Sequence, residues 1–291
     1  MKELLKKVLK PVLKPAFSIF ENILPAKLHV MMIHYRAHGC LPNLKSPKTF
    51  SEKIAYRKLH DRNLAMVPLV DKILVKEQIA ARFGKEIIIP TLKVIDDVDG
   101  FDMQSIPPPY VIKVNHSCHM NIFVKDKNFN EKEIKSRLKR YLAFDHSAVL
   151  EEWAYSLIER KAFVEEYVKF GDDDLTEYKF HVFGGKTFAL QVLVDRDTVP
   201  RIQMYDKDFN IMDVCYVAYP KHLRAVAKPD NFSEMKRIAE DIGKDFSYVR
   251  IDLYNVKGKI KFSEATFYPG GGTERFNPPD YDRIFGDQWT V

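Results

Sequence analysis

The chain has 291 residues, 46% apolar and 30% charged, with a formal net charge of +6. That is enough chain for one large domain or two closely packed ones, and 20 Phe with 14 Tyr imply a largely aromatic core. There is no apolar run of membrane-spanning length, no signal-peptide pattern and no disulfide framework in three scattered cysteines (Cys40, Cys118, Cys215), so a cytosolic protein is expected. The mild positive balance suits an anionic substrate, a nucleotide or a membrane surface. Without an RNP, zinc-finger or helix-turn-helix signature it gives no ground for nucleic-acid binding.

In chain order, residues 1–45 form a helical N-terminal segment. Its first 25 residues are basic and amphipathic: Lys2, Lys6, Lys7, Lys10 and Lys14 alternate with Leu4, Leu5, Val8, Leu9, Val12 and Leu13, interrupted near Pro11 and Pro15. Such a segment suits docking on an anionic membrane face, or packing on the protein's own body with its lysines solvated. Ser46–Lys53 reads as a turn into a helix, and a second helix is expected from about Val67 to Phe83, stopped by Gly84. Glu86–Pro90 reads as a short buried strand or its edge, Tyr110–Val114 as a strong strand, and residues 131–160 as two helices. From Ala162 the pattern turns to strands: Phe163–Val168, Lys179–Phe183, Thr187–Val194 and Arg201–Tyr205, with a hairpin turn at Gly184-Gly185. One helix over about Phe232–Ile242, capped by Asn231 or Ser233, precedes a last hairpin. Helices first and an antiparallel sheet later indicate an α+β protein of two lobes, residues 46–162 and 163–291, behind the N-terminal segment.

The last hairpin holds the sharpest chemistry. In Tyr248–Tyr254, Arg250 and Asp252 share one face; in Lys259–Phe267, Phe262, Glu264 and Thr266 share one. A two-residue turn at Val256-Lys257 would pair Asp252 with Lys261 and send Glu264 to the opposite side. A three-residue loop with Gly258 in a left-handed bulge pairs Arg250 with Glu264 and Asp252 with Phe262, making Asp252 and Glu264 diagonal neighbours. The second register is expected. Two carboxylates on a largely buried face need a cation, which Mg²⁺ can supply; the alternative is an Arg250–Glu264 salt bridge with Asp252 solvated.

Val249–Tyr254, Phe262-Ser-Glu-Ala-Thr-Phe and Pro269-Gly-Gly-Gly together resemble the metal-binding end of ATP-grasp enzymes, and more narrowly the TupA-like branch linked to teichuronopeptide and surface-polysaccharide synthesis. Pro47–Lys53, Asp71-Lys72, Ile112–His116, Glu177-Tyr-Lys-Phe, Tyr281-Asp282, Gly286 and Trp289 extend the resemblance over roughly residues 45–291. It implies that Lys72 and Lys113 contact ATP phosphates. It makes Phe163–Val168 a hinge, where Glu165 or Glu166 and the backbone at Tyr167 and Val168 read adenine. Glu177 would hold the ribose and Lys179 a phosphate. Asp252, Glu264 and Thr266 would bind Mg²⁺. Arg250 and Arg275, with Lys179, would serve catalysis by gripping a substrate carboxylate or the developing acyl phosphate. The implied activity is ATP-dependent ligation of a carboxylate to an amine, such as an amino acid and a uronic acid of a glycan. The chain departs from the family at Ser117–Met120, where glycines are common, and at Thr266, where asparagine is common; its front leaves no room for a full extra α/β domain.

Other motifs compete less well. His116, Cys118 and His119 lack a second Cys/His pair at zinc spacing and read as a packed loop. Asp195-Arg196-Asp197 after a strand also occurs in glycosyltransferases using a nucleotide sugar; its other reading is a charged hairpin turn. Asp172-Asp173-Asp174 reads as a solvated loop.

Overall fold

The computed structural model describes residues 24–168, 176–195, 199–219 and 225–291. The basic amphipathic stretch through Phe20 and the run Asp172–Asp174 lie outside the described residues.

Helix α1 (Ala26–His38) leads to α2 (Phe50–His60). At the start of α2, Thr49 accepts the Glu52 amide through its side chain while the Glu52 carboxylate accepts the Thr49 amide, so two otherwise orphaned donors are satisfied reciprocally. Glu52 also accepts the amides of Asn43 and Lys48, folding the preceding turn onto the helix.

The single helix expected over 67–83 is two, α3 (Val67–Val70) and α4 (Leu74–Phe83). Asp71 causes the break. Its backbone is extended, and its carboxylate accepts the amides of Ile73 at 2.8 Å and Leu74 at 3.2 Å in competition with helical bonding. The strand expected over 86–90 is instead a 3₁₀ turn at Lys85–Ile87 that still buries Ile87 and Ile89; the first strand, β1 (Thr91–Ile95), begins after Pro90.

A four-stranded antiparallel sheet has the order β1-β4-β2-β3, with β2 at Tyr110–Val114, β3 at Asn121–Val124 and β4 at Ala162–Glu166. Helix α5 (Glu131–Ala143) contributes Ile134 and Leu138 to its core, beside Ile95, Met103, Ile112 and Val164. A short α6 (His146–Leu150) follows. The second sheet is built from β5 (Glu177–Phe183), β6 (Lys186–Val194) and β7 (Arg201–Asp206). After the short β8 (Cys215–Tyr216) and helix α7 (Phe232–Gly243), β9 (Tyr248–Val256) and β10 (Lys259–Thr266) complete it in the order β10-β9-β5-β6-β7. The β5–β6 turn is at Gly184-Gly185, as the sequence indicates. Asn231 occupies the cap position of α7, but its side chain does not cap the helix. It accepts from Asn255 at 2.7 Å and donates to the Gly258 carbonyl at 2.9 Å, tying α7 to the last hairpin.

The core does not divide at residue 163. β4 pairs with β1 and β2, so that boundary runs through a strand, while Phe50, Ile54, Met66, Leu69, Val75 and Ile79 are buried with the five-stranded sheet. The chain ends close this second core. Phe50 packs edge-on against Tyr248, Phe276 and Phe285, and Asp282 of helix α8 (Asp280–Asp287) accepts from the Ser51 amide at 2.9 Å and hydroxyl at 2.6 Å. The motifs at 47–53 and 281–289 are therefore one packed unit. Among the described residues no helix is long and apolar enough to cross a membrane.

Candidate active site

One face of the five-stranded sheet is apolar: Phe180, Val182, Ile251, Leu253, Phe262 and Ala265 are buried with α7. The other carries charge. Period two along β5 puts Glu177, Lys179 and His181 on it; period two along β9 puts Arg250 and Asp252 there. Lys179 pairs directly with Asp252, and Asp252 with Glu264, so three charged residues stand in a row across β5, β9 and β10.

The hairpin reaches this arrangement by neither register expected from sequence. Val256 pairs with Lys259 across a tight turn in which Lys257 (φ 52°) and Gly258 (φ 80°) are both left-handed. Gly258 is left-handed as expected, but the bulge lies elsewhere, between Phe262 and Glu264. The extra residue resets the alternation. Phe262 packs in the core opposite Leu253, while both Ser263 and Glu264 reach the polar face, Ser263 donating to Glu177 at 3.0 Å. Without the bulge, strict alternation from Phe262 would send Glu264 into the apolar core.

The charges are closely knit. Arg250 grips Asp252 with Nε at 2.7 Å and Nη2 at 2.8 Å, and Nη2 also reaches Glu264 at 3.3 Å and Thr266 at 3.2 Å. Lys179 donates to Asp252 and lies 2.9 Å from Glu177. The salt bridge and the clustered carboxylates thus coexist, and Asp252 is fully buried rather than solvated. Burial raises the Asp252 carboxyl against the pull of Arg250 and Lys179. Burial would raise Glu264 too, but Lys72, Lys179 and Arg250 bring it down to about 2. His181 is held well below the usual imidazole range by burial and by the neighbouring Arg250 and Lys179, so it is neutral; its Nδ1 bonds the Tyr248 hydroxyl at 3.0 Å.

A second cluster lies in the four-stranded sheet. Glu165 is buried between two lysines, with Oε1 2.6 Å from Lys76 and Oε2 bonded by Lys113. Burial would raise its carboxyl, but the two lysines hold it below the usual range. Lys76 also donates to the Ile89 carbonyl at 2.9 Å and Thr91 at 3.1 Å. Glu165 is therefore the partner of the lysines, while Glu166 and Tyr167 are exposed at the strand end and Val168 is half-buried beside them. Asp71 and Asn115 clasp the region: Asn115 Nδ2 donates to Asp71 at 2.9 Å, and the Lys72 amide donates to the Asn115 carbonyl at 3.1 Å. The sequence motifs around Lys72 and Lys113 thus meet through Asp71 and Asn115.

Not every expected residue joins these clusters. Glu177 does join, buried against Lys179 and Ser263 on the charged face. Arg275 is exposed; its neighbour Glu274 is the one within electrostatic reach of Arg250, Lys179 and Asp252. His116 is buried, its Nε2 bonding the Phe144 carbonyl at 3.1 Å, while Cys118 and His119 are exposed. Asp195 pairs with Arg201 at 3.2 Å, and residues 196–198 lie outside the described residues. Sequence reasoning missed Lys76, whose only signal is its place between buried Val75 and Ile79, and the Ser263 bulge, which period two cannot locate.

Oxygens gather at the hairpin, although both oxygens of Asp252 are already bonded by Arg250 and Lys179. The two carboxylates come from paired positions, and the Thr266 hydroxyl lies 3.2 Å from Glu264 on the same face.

Two antiparallel sheets, one with a lysine–glutamate triad and one with the row Lys179–Asp252–Glu264, make an α+β protein. The chain belongs to the TupA-like ATP-grasp family, whose model matches residues 52–290. No curated protein matches it. Among solved structures it is similar to a D-alanine–D-alanine ligase from Bacillus anthracis complexed with ATP, at 17% identity over 69% of this chain and 55% of that one, TM-score 0.38. It is also similar to the D-alanine–D-alanine ligase from Helicobacter pylori, at 14% identity over 78% and 63%, TM-score 0.44. A third is an L-amino acid ligase from Bacillus licheniformis, at 12% identity over 75% and 44%, TM-score 0.42. The chain thus spans less than two thirds of the length of each.

Proposed function

We propose that the protein is an ATP-dependent carboxylate–amine ligase of surface-polysaccharide synthesis, joining an amino acid to a uronic acid or other sugar group through an acyl phosphate. The observation that carries the reading is the row Lys179–Asp252–Glu264 bonded by Arg250, inside a chain of the TupA-like ATP-grasp family.

Asp252, Glu264 and Thr266 would hold Mg²⁺, which when bound neutralises phosphate charge. Lys72, Lys113 and Lys179 supply cations for the phosphates, and Glu166, Tyr167 and Val168 offer an open strand end for the base. Arg250 is fixed by bonds to three acceptor side chains, so its guanidinium is already oriented toward a planar anion such as a carboxylate or acyl phosphate. His181 beside it stays neutral and adds no competing charge. Catalysis on this reading is positioning and charge neutralisation.

Mg²⁺-ATP should raise the unfolding temperature of the wild type by several degrees and fail to do so for Asp252→Asn/Glu264→Gln. Protection by UDP-sugars but not by ATP would replace this reading with a glycosyltransferase. The basic segment 1–25 suits peripheral docking at the cytoplasmic membrane face, near a lipid-linked glycan acceptor. Deleting it should lower co-sedimentation with anionic liposomes, and unchanged binding rules the docking out.

A further inference from the structure

Glu274 follows the Pro269-Gly-Gly-Gly turn and belongs to neither charged cluster. Its carboxylate forms no hydrogen bond or ion pair with the described residues, although Arg250, Lys179 and Asp252 lie within electrostatic reach. It folds back over Gly270, where φ is +54° and an added Cβ would fall 2.3 Å from the Glu274 side chain, so the glycine makes the space the glutamate occupies. In front of it is a narrow cavity of about 10 Å³ lined by Phe50, Ser51, Tyr216, Gly272 and Phe276. That is room for one group the size of a water. Tyr216 is 1% exposed and its hydroxyl has no partner. A carboxylate with no hydrogen-bond partner and an aromatic wall face one small space, with the unpartnered Tyr216 hydroxyl enclosed beside it.

An ammonium group matches that space in charge and hydrogen bonding: its donors meet the Glu274 carboxylate, with aromatic rings alongside. A second carboxylate or a phosphate would meet Glu274 as a like charge. Arg250 and Lys179 do not fill the role, because they are bound to Asp252 and, in the case of Lys179, lie beside Glu177. Burial raises the Glu274 carboxyl against the pull of Arg250 and Lys179, which suits a group that must take up a proton.

Resting on the ligase reading above, we propose that the cavity before Glu274 receives the amine substrate as a primary ammonium ion and that Glu274 is the base that frees it for attack. The ammonium passes one proton to the Glu274 carboxylate. The nitrogen lone pair then forms the C–N bond to the acyl-phosphate carbonyl carbon. The carbon–oxygen bond to phosphate breaks with its electron pair, and the departing phosphate carries away the second nitrogen proton.

The test is saturation-transfer NMR on the full chain with Mg²⁺ and a non-hydrolysable ATP analogue. The panel comprises amines without a carboxylate: the amides of the twenty amino acids, ethanolamine and glucosamine. At least one amine should bind the wild type and bind Glu274→Gln and Glu274→Ala at least tenfold more weakly, with thermal protection by Mg²⁺-ATP unchanged in both. Equal amine binding by wild type and Glu274→Gln, or no binding of any panel amine to the wild type, overturns the proposal. Absent protection of the wild type by Mg²⁺-ATP instead sinks the ligase reading, and the amine titrations report on Glu274 separately.

Discussion

Glu165 shows what one buried carboxylate does when two lysines depend on it. Removing its charge leaves Lys76 largely enclosed, touching only the Ile89 carbonyl, Thr91 and the ring of Phe163, and leaves Lys113 without its partner. Breaking a buried pair from one side typically costs about 3–5 kcal/mol. Gln keeps the shape and some polarity, so Glu165→Gln should lose about 2–3 kcal/mol in urea unfolding at pH 7. The loss should also depend on pH in a fixed direction. The folded carboxyl titrates below its ordinary value of 4.5, so its stabilisation is complete above that value and disappears as pH falls through the folded one. Wild type and variant should therefore converge in acid. A gap of constant size from pH 7 down to pH 3.5 would show that the lysines do not rely on the charge of Glu165.

The hairpin and the two packed termini show which parts of an element a sequence can declare. Alternation identified Arg250 and Asp252 as sharing a face, and the glycine pair at 184–185 marked its turn, because both signals are local. The register of β10 was not legible, since the bulge at Ser263 is set by what Phe262 and Glu264 each find across the sheet. The break at Asp71 escaped for a similar reason: residues 67–83 carry helical spacing, and only the partners of the Asp71 carboxylate end the first helix. The residues of the charged row were legible; the pairing of Glu264 with Asp252 depended on the bulge. Glycines make the distinction measurable. At Gly258 an added Cβ meets nothing within 4 Å, so Gly258→Ala should cost only the left-handed backbone term, about 1 kcal/mol. At Gly286 it would fall 2.1 Å from the Lys48 carbonyl oxygen, where backbone cannot yield cheaply, so Gly286→Ala should cost more than about 3 kcal/mol. Equal melting temperatures for the two variants would contradict the close approach of α8 to the start of α2.

Across the whole molecule, the N-terminal helices are tied to the second core by the half-buried His38 and the buried Arg57 and Lys58, of which His38 and Lys58 hold the glycine turn. His38 reaches the Gly272 carbonyl at 2.9 Å, Arg57 donates to the Tyr248 carbonyl at 2.8 Å over the Trp289 ring, and Lys58 donates to the Gly271 carbonyl at 2.7 Å. This turn leads from β10 to Glu274, so the helices hold the segment that follows the hairpin. Lys58 carries a cost for doing so. It is 3% exposed, and burial, only partly offset by Glu152 and Glu151, lowers its ammonium from 10.5 to about 8. Between those values the unfolded chain binds more protons than the folded one, so the Lys58 contribution to stability rises with pH across that window. Its penalty is present in full below about 8 and is gone above the unfolded value. Lys58→Met keeps the apolar stem and removes the titration. Between pH 7.5 and pH 9.5 the wild type should therefore gain on the order of 2 kcal/mol relative to Lys58→Met in urea unfolding, at about 1.4 kcal/mol per unit of pH once the folded group is neutral. Parallel stability profiles for the two proteins would mean that the ammonium is hydrated in the folded state, and that the glycine turn is not held by a buried charge.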